Sequence, residues 1–249
     1  MTGIFWNIHR WMEKRIAGSR GARRTFFPVE SFPWAARVEA ESQAIRTELD
    51  ALLTHLEQIP NFQDISEEQK SLTSGSQWKT FFLYGYGHQL EENCRRCPET
   101  VRILKGIPGM KTAMFSILAP KKHIPAHRGP YNGVLRYHLG LLIPEPASSC
   151  RIRVGRTIRR WQEGRSLIFD DSYNHEVWND SDCHRVVLFV DFERPLSFPL
   201  SLLNRLMIWL VSRSPFVTKA VERFREWEPG DKDDVLKTEA VLSQGNGLS

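Results

Sequence analysis

Between Trp78 and Phe192 the chain is cut into short β-branched or aromatic segments by Gly, Pro, Asp and Asn, and this limits the fold more than any other feature. The segments run Trp78–Tyr84, Thr112–Ala119, Gly133–Ile143, Cys150–Val154, Ser166–Phe169, His175–Trp178 and Arg185–Phe192. Stretches of this length and makeup suit a pleated, half-buried backbone, and the turn residues between them favour antiparallel neighbours. One interruption is predicted, a helix over 97–105 stopped by Gly106, Pro108 and Gly109. The expected core is a small antiparallel barrel or jelly roll.

Helical periodicity flanks this run. Residues 2–17 carry Ile4, Phe5, Ile8, Trp11, Met12 and Ile16 near helical spacing with basic residues between, which predicts a short basic amphipathic helix ended by Gly18 to Gly21. Residues 35–58 predict a longer helix, with Ile45, Leu49, Leu52, Leu53 and Leu56 as its stripe and Pro60 as its stop. Polar 61–76 reads as a mobile surface loop. Beyond Arg194-Pro195, residues 196–211 are nearly all apolar, and on a helix Leu202, Leu203, Leu206, Met207 and Leu210 share a face. That stretch, interrupted by Arg205, is too short to span a membrane. It reads either as a helix packed on the barrel or in a dimer interface, or as an interfacial membrane anchor supported by Trp209, Arg213 and Lys219.

Helices on either side of a run of strands make an α+β chain. The expected divisions are an N-terminal helical extension (1–76), a β core (77–195), a C-terminal amphipathic or apolar helical segment (196–228) and a disordered tail (229–249).

Composition sets outer limits. A chain of 249 residues, 41% of them apolar, can bury the core of one domain with helical additions. The net charge of +5 is modest, so the placement of charge matters more than its sum. Arg10, Lys14, Arg15, Arg20, Arg23 and Arg24 cluster near the N-terminus, and Arg151, Arg153, Arg156, Arg159 and Arg160 in the middle. Each cluster either attracts phosphate, anionic lipid or an acidic substrate, or is a solvated face. Neither contains a nucleic-acid reading motif, and no nucleic-acid partner is expected. Cys94, Cys97, Cys150 and Cys183 are too few for a disulfide framework, and Cys94-Arg-Arg-Cys97 lacks a second ligand pair for zinc. They read as structural thiols of a reduced, cytoplasmic protein. No signal peptide is visible, so the Asn179-Asp180-Ser181 sequon carries little weight.

The informative polar residues lie within strands. Alternation along 133–143 puts Arg136 and His138 on one face and Leu135, Tyr137 and Leu139 on the other. A cation and an imidazole pointing together from a strand interior carry a desolvation cost unless an anion meets them. That face is either a carboxylate site or solvated. Leu167-Ile-Phe-Asp170-Asp171 runs into an acidic turn, His175 opens the next strand, and Arg185 stands at the mouth of the last one. Spacing alone leaves each of these open between structural and chemical roles.

The blocks HRGPYNGVLRYHLGL from His127, LIFDDSYNHEVWND from Leu167 and RVVLFVDFERP from Arg185, with Phe115-Ser116 and Trp78–Leu83 upstream, resemble the aspartyl/asparaginyl β-hydroxylase family of iron(II)/2-oxoglutarate oxygenases. Bacterial lipid A hydroxylases of the same superfamily share the layout, including an Arg-Pro exit before a hydrophobic C-terminal segment. The resemblance implies a double-stranded β-helix, a jelly-roll or cupin-like core, with His127 and His175 as metal ligands. The usual carboxylate ligand, two residues after the first His, is replaced here by Gly129. The β-hydroxylase branch is similar in this respect, whereas the lipid A branch typically has Asp. Water would fill the vacant position, oriented by Asp171 or else by Asp170. Ser116 and Arg185 are implied for the distal carboxylate of 2-oxoglutarate and His138 for positioning it. Arg136 is left free for an acidic group on substrate or cosubstrate.

The implied reaction uses Fe(II), 2-oxoglutarate and O2, and yields succinate, CO2 and a hydroxylated carbon. The first expected substrate is an Asp or Asn residue of a peptide, or a related carboxylate-bearing amino acid or small molecule. The alternative is a lipid A-like acyl chain, which would hold the protein peripherally on the inner face of the membrane. A halogenase and a catalytically silent binding barrel are the remaining readings. His9, His55, His88, His123 and His184 are assigned to structure or surface.

Overall fold

The computed structural model describes residues 3–19, 24–65, 72–73 and 75–226. Its strands are β1 (Phe26–Phe27), β2 (Trp78–Gly85), β3 (His88–Gln89), β4 (Met110–Leu118), β5 (His123–His127), β6 (Val134–Leu142), β7 (Cys150–Val154), β8 (Thr157–Arg160), β9 (Ser166–Phe169), β10 (His175–Asn179) and β11 (Arg185–Glu193). Its helices are α1 (Gly3–Ala17), α2 (Pro33–Ala40), α3 (Ser42–Leu53), α4 (Phe62–Ile65), α5 (Glu91–Arg96), α6 (Pro98–Leu104), α7 (Leu200–Ser212) and α8 (Pro215–Glu226). A seven-stranded sheet in the order β1-β9-β6-β11-β4-β2-β3 faces a four-stranded sheet in the order β5-β10-β7-β8. Every ladder is antiparallel and most neighbours are distant in sequence, which is the jelly-roll arrangement of an α+β chain.

Alternation along the central strands decides what lies where. Val186, Leu188, Val190 and Phe192 of β11 join Leu135, Tyr137 and Leu139 of β6 in a core covered by Trp34 and Val38 of α2 and Ile45 and Leu49 of α3. The opposite residues, Val187 and Phe189 with Met114 and Leu118 of β4, meet Ile152, Val154 and Val177 of the small sheet. Both faces of the large sheet are therefore buried. The Arg136/His138 face points into the space between the sheets rather than into solvent.

Three departures from the periodicity are instructive. The helix predicted over 35–58 is two helices, broken at Glu41 where no Gly or Pro signals a stop. Both stripes pack on the same core, so tertiary packing makes the break. Strand β5 escaped the pattern because Pro125 interrupts it, and Pro is tolerated there because β5 is an edge strand. The two-residue β1 and the exposed β8 were also unmarked. Of the loop predicted over 61–76, residues 62–65 form a helical turn, and much of the remainder lies outside the described residues, as do the predicted tail 229–249 and Arg20, Gly21 and Arg23.

Cys94 and Cys97 are buried and form no disulfide, and burial pushes the Cys97 thiol up to about 12, so it is held protonated and inert. In the central basic cluster Arg151 pairs with Asp180 and Arg153 with Glu176, while Arg156, Arg159 and Arg160 are exposed. No helix among the described residues is long and apolar enough to cross a membrane.

Candidate active site

His127 ends β5 and His175 opens β10, and the two are direct partners across the ladder. Their ring centroids lie 4.1 Å apart. His127 Nδ1 is 2.8 Å from the Pro125 carbonyl and His175 Nδ1 is 3.0 Å from the Tyr173 carbonyl. A carbonyl only accepts, so each Nδ1 carries the proton and each Nε2 keeps a free lone pair, the tautomer a metal ligand needs. Burial, the partner imidazole and the nearby Arg136 hold His175 down to about 3; burial, and more weakly Arg136, lowers His127. Both rings are neutral at physiological pH.

Beside them, a Cβ on Gly129 would stand 2.0 Å from Asp171 Oδ2 and 2.4 Å from its Cγ. The Asp171 carboxylate thus fills the volume that a side chain at 129 would claim. The Gly129 amide donates to the Asp171 carbonyl at 2.8 Å, fastening the two backbones together. Neither Asp171 oxygen accepts a hydrogen bond; its partner is the ion pair with Arg136 Nη2 at 2.9 Å. Burial, helped by repulsion from Asp191 and Asp170, pushes its carboxyl up to about 6 against the pull of Arg136.

Arg136 also makes a bidentate pair with Asp191, at 2.8 and 3.1 Å, and its guanidinium lies 4.1 Å over the Phe189 ring. The expectation that Arg136 is free for an acidic group is corrected: two carboxylates of the chain already take it. Asp170 is occupied differently. It accepts from the Ser172 amide and hydroxyl at 3.0 and 2.6 Å and pairs with Arg194, which also donates to the Asn132 carbonyl at 2.7 Å. Asp170 closes its turn, while Asp171 faces Gly129.

Deeper between the sheets, Arg185 is 2% exposed, and its Nε and Nη1 have no partner. Its Cζ lies 4.6 Å over the Trp161 ring, and burial depresses the guanidinium to about 10. A buried cation without an anion is costly enough to mark a place for one. Ser116 lies opposite Val187 on β11 and accepts from Trp78 Nε1 at 3.0 Å. His138 is packed among Trp161, Phe169 and Phe189 with neither ring nitrogen bonded. Burial, then Arg185 and Arg136, hold it far below the ordinary imidazole range, hence neutral.

Two residues not foreseen share this interior. The Trp161 indole N–H and the Thr80 hydroxyl are buried without a partner, and Thr80 lies across the ladder from Ser116. Alternation with Trp78 placed Thr80 on the inner face and was available as a signal; Trp161 lies outside any strand and had none. By contrast, His123 pairs with Glu176 and His9 packs on Tyr131, as structural histidines do.

Among the described residues no three His, Cys, Asp or Glu side chains are grouped to hold a metal. Two imidazole nitrogens are what the ligand positions offer, as Gly129 requires. The orphaned donors further in call for an anion with several acceptor oxygens.

Fold and site together define a jelly-roll protein of the cupin type with a buried polar site between its sheets. The sequence model of the Aspartyl/Asparaginyl beta-hydroxylase family matches residues 39–195, and the chain belongs to that family. It is similar to the ornithine lipid ester-linked acyl 2-hydroxylase of Rhizobium tropici, 46% identical over 229 residues covering 92% of this chain and 82% of that protein. It is also similar to human aspartyl/asparaginyl beta-hydroxylase, 38% identical over 133 residues covering 51% of this chain but only 17% of that protein. Family and relatives make the chain a hydroxylase. Among solved structures, DMSP lyase DddQ from Ruegeria pomeroyi matches at a TM-score of 0.34 and 12% identity, covering 51% of this chain and 55% of that one. A predicted oxalate decarboxylase from Thermotoga maritima matches at 0.31 and 13%, covering 47% and 81%. Those likenesses are slight, and the fold assignment rests on the strand order instead.

Proposed function

We propose that the protein is an iron(II)- and 2-oxoglutarate-dependent hydroxylase acting on the acyl chain of a membrane lipid. The observation that carries the cofactor reading is the pair of Nδ1-locked imidazoles beside a buried, anion-less Arg185. His127 and His175 would hold iron(II) through Nε2. The Asp171 carboxylate, with open acceptor positions next to Gly129, would orient water at the coordination position that glycine leaves to solvent. Arg136, braced by Asp191, holds that carboxylate in place and is a positioning residue. Arg185 would take the distal carboxylate of 2-oxoglutarate, with Ser116, Thr80 and the Trp161 N–H as further polar partners and His138 beside it. When bound, iron(II) with 2-oxoglutarate and O2 supplies the oxidation that turns C–H into C–OH, releasing succinate and CO2. The chain contributes binding, orientation and exclusion of water by the two apolar sheet faces.

The lipid reading is supported by the match to the rhizobial acyl 2-hydroxylase, which extends over 92% of this chain and so beyond the β core. A second reading, an Asp or Asn residue, is supported by the family match and by Gly129, the feature in which that branch is similar. Product analysis separates them. The enzyme, with iron(II), 2-oxoglutarate and O2, is offered a detergent-dispersed ornithine lipid in one arm and Asp- and Asn-containing peptides in the other. One oxygen atom added to the ester-linked acyl fragment is the expected result. Oxygen on the peptide alone would transfer the proposal to the second reading, and no succinate in either arm, with no binding of 2-oxoglutarate, would overturn both.

A further inference from the structure

We propose that α1 and α7 form a docking surface for an anionic membrane leaflet, fastened to the loop that follows His127. The inference deepens the lipid-substrate reading and rests on it.

Helix α7 is apolar on both sides. Asn204 and Met207 face inward, while Leu202, Leu206, Trp209 and Leu210 are 60, 52, 49 and 46% exposed, and Phe198 just before the helix is 81% exposed. Single exposed apolar side chains are ordinary, but a continuous row on one helix face marks a partner. Helix α1 packs on it through Met12, Ile16 and Met207 and leaves Trp11 45% exposed.

Charge names the partner. There is no acidic residue in α7, and the one in α1, Glu13, is half-buried beside His9. Arg10, Lys14 and Arg15 of α1 are exposed. The Arg15 guanidinium lies 5.4 Å over the Trp11 ring, and that of Arg213, at the end of α7, lies 4.1 Å over Trp209. Cations stacked on tryptophans beside an apolar row suit anionic headgroups above a hydrocarbon layer. A second copy in a twofold contact would bring the same cations against one another. No helix among the described residues is long and apolar enough to cross the membrane, so the fit is to the interface.

Both helices are bolted to the active-site loop. Tyr131 donates its hydroxyl to Asn204 Oδ1 at 2.8 Å, Asn204 Nδ2 donates to the Gly133 carbonyl at 2.8 Å, and Asn132 Nδ2 donates to the Glu13 carbonyl at 3.0 Å. A Cβ on Gly133 would stand 2.1 Å from Asn204 Oδ1, so the approach is close enough to need glycine. The surface meant for lipid is thereby tied to the segment that starts at His127.

The test is flotation of the full chain with vesicles of phosphatidylcholine plus phosphatidylglycerol, and with phosphatidylcholine alone. Wild type should float with the anionic vesicles, less so as salt rises, and poorly with the neutral ones. Leu202→Glu/Leu206→Glu should cut the bound fraction about tenfold or more, and Lys14→Glu/Arg15→Glu should remove the preference for anionic lipid. Circular dichroism and thermal melting establish that both variants are folded. Wild type that stays in solution, variants that float as wild type does, or a wild-type dimer that the Leu variants split would each overturn the docking surface. Hydroxylation of detergent-dispersed lipid without flotation would sink the docking surface alone; flotation without hydroxylation of any lipid would support the surface and sink the substrate reading.

Discussion

At the residue scale, Gly129 and Asp171 compete for one volume, and the chain resolves the competition by having no side chain at 129. Gly129→Ala puts a methyl group where the Asp171 carboxylate sits. In the proposed mechanism it should lower the succinate rate about 10–100-fold, as should Asp171→Ala. The double variant should lose less than the product of the two, because both remove the same carboxylate placement. Arg136→Met leaves the buried Asp171 and the half-buried Asp191 without their cation and should destabilise the fold by about 3–5 kcal/mol in urea unfolding. Trp161→Phe keeps the ring beside Arg185 but removes the N–H. It should weaken 2-oxoglutarate binding about tenfold in calorimetry with little change in melting temperature. That Arg136 and His138 share a face was legible from alternation; that the face turns inward, and that Arg136 meets Asp171 there, was not. Which carboxylate meets a given cation depends on a turn and a neighbouring strand brought together only by folding.

At the element scale, the long strands were legible because their β-branched and aromatic runs are bounded by turn residues; β6 is one residue shorter than its predicted span at each end, and β11 one residue longer at its C-terminal end. Strand β5 was not, although it carries His127, because an edge strand has one ladder to keep and admits Pro125. Helices α2 and α3 read as one because a helical stripe says nothing about where a packed helix breaks. Helix α7 shows the value of a buried polar residue on an apolar helix: Asn204 is 1% exposed and satisfies both Tyr131 and the Gly133 carbonyl. Asn204→Ala should cost about 1–3 kcal/mol in chemical denaturation, because those partners are left without theirs.

At the scale of the whole molecule, the large sheet is the organising unit. One face packs on α2 and α3 as a conventional apolar core, and the other carries Arg185, His138 and Arg136 into the space facing the small sheet. Such an interior is stable without ligand only at the cost of donors left unpaired, so ligands should stabilise the fold strongly. The central claim, that this interior holds iron(II) and 2-oxoglutarate, is tested most directly by anaerobic titration. Iron(II) is added to the protein with 2-oxoglutarate present, and the visible charge-transfer band of the chelate is followed. The account predicts one saturable site per chain, lost in His127→Ala and His175→Ala, with 2-oxoglutarate affinity markedly weakened in Arg185→Lys. A band unaffected by either histidine substitution, or its absence from the wild-type protein, would contradict it.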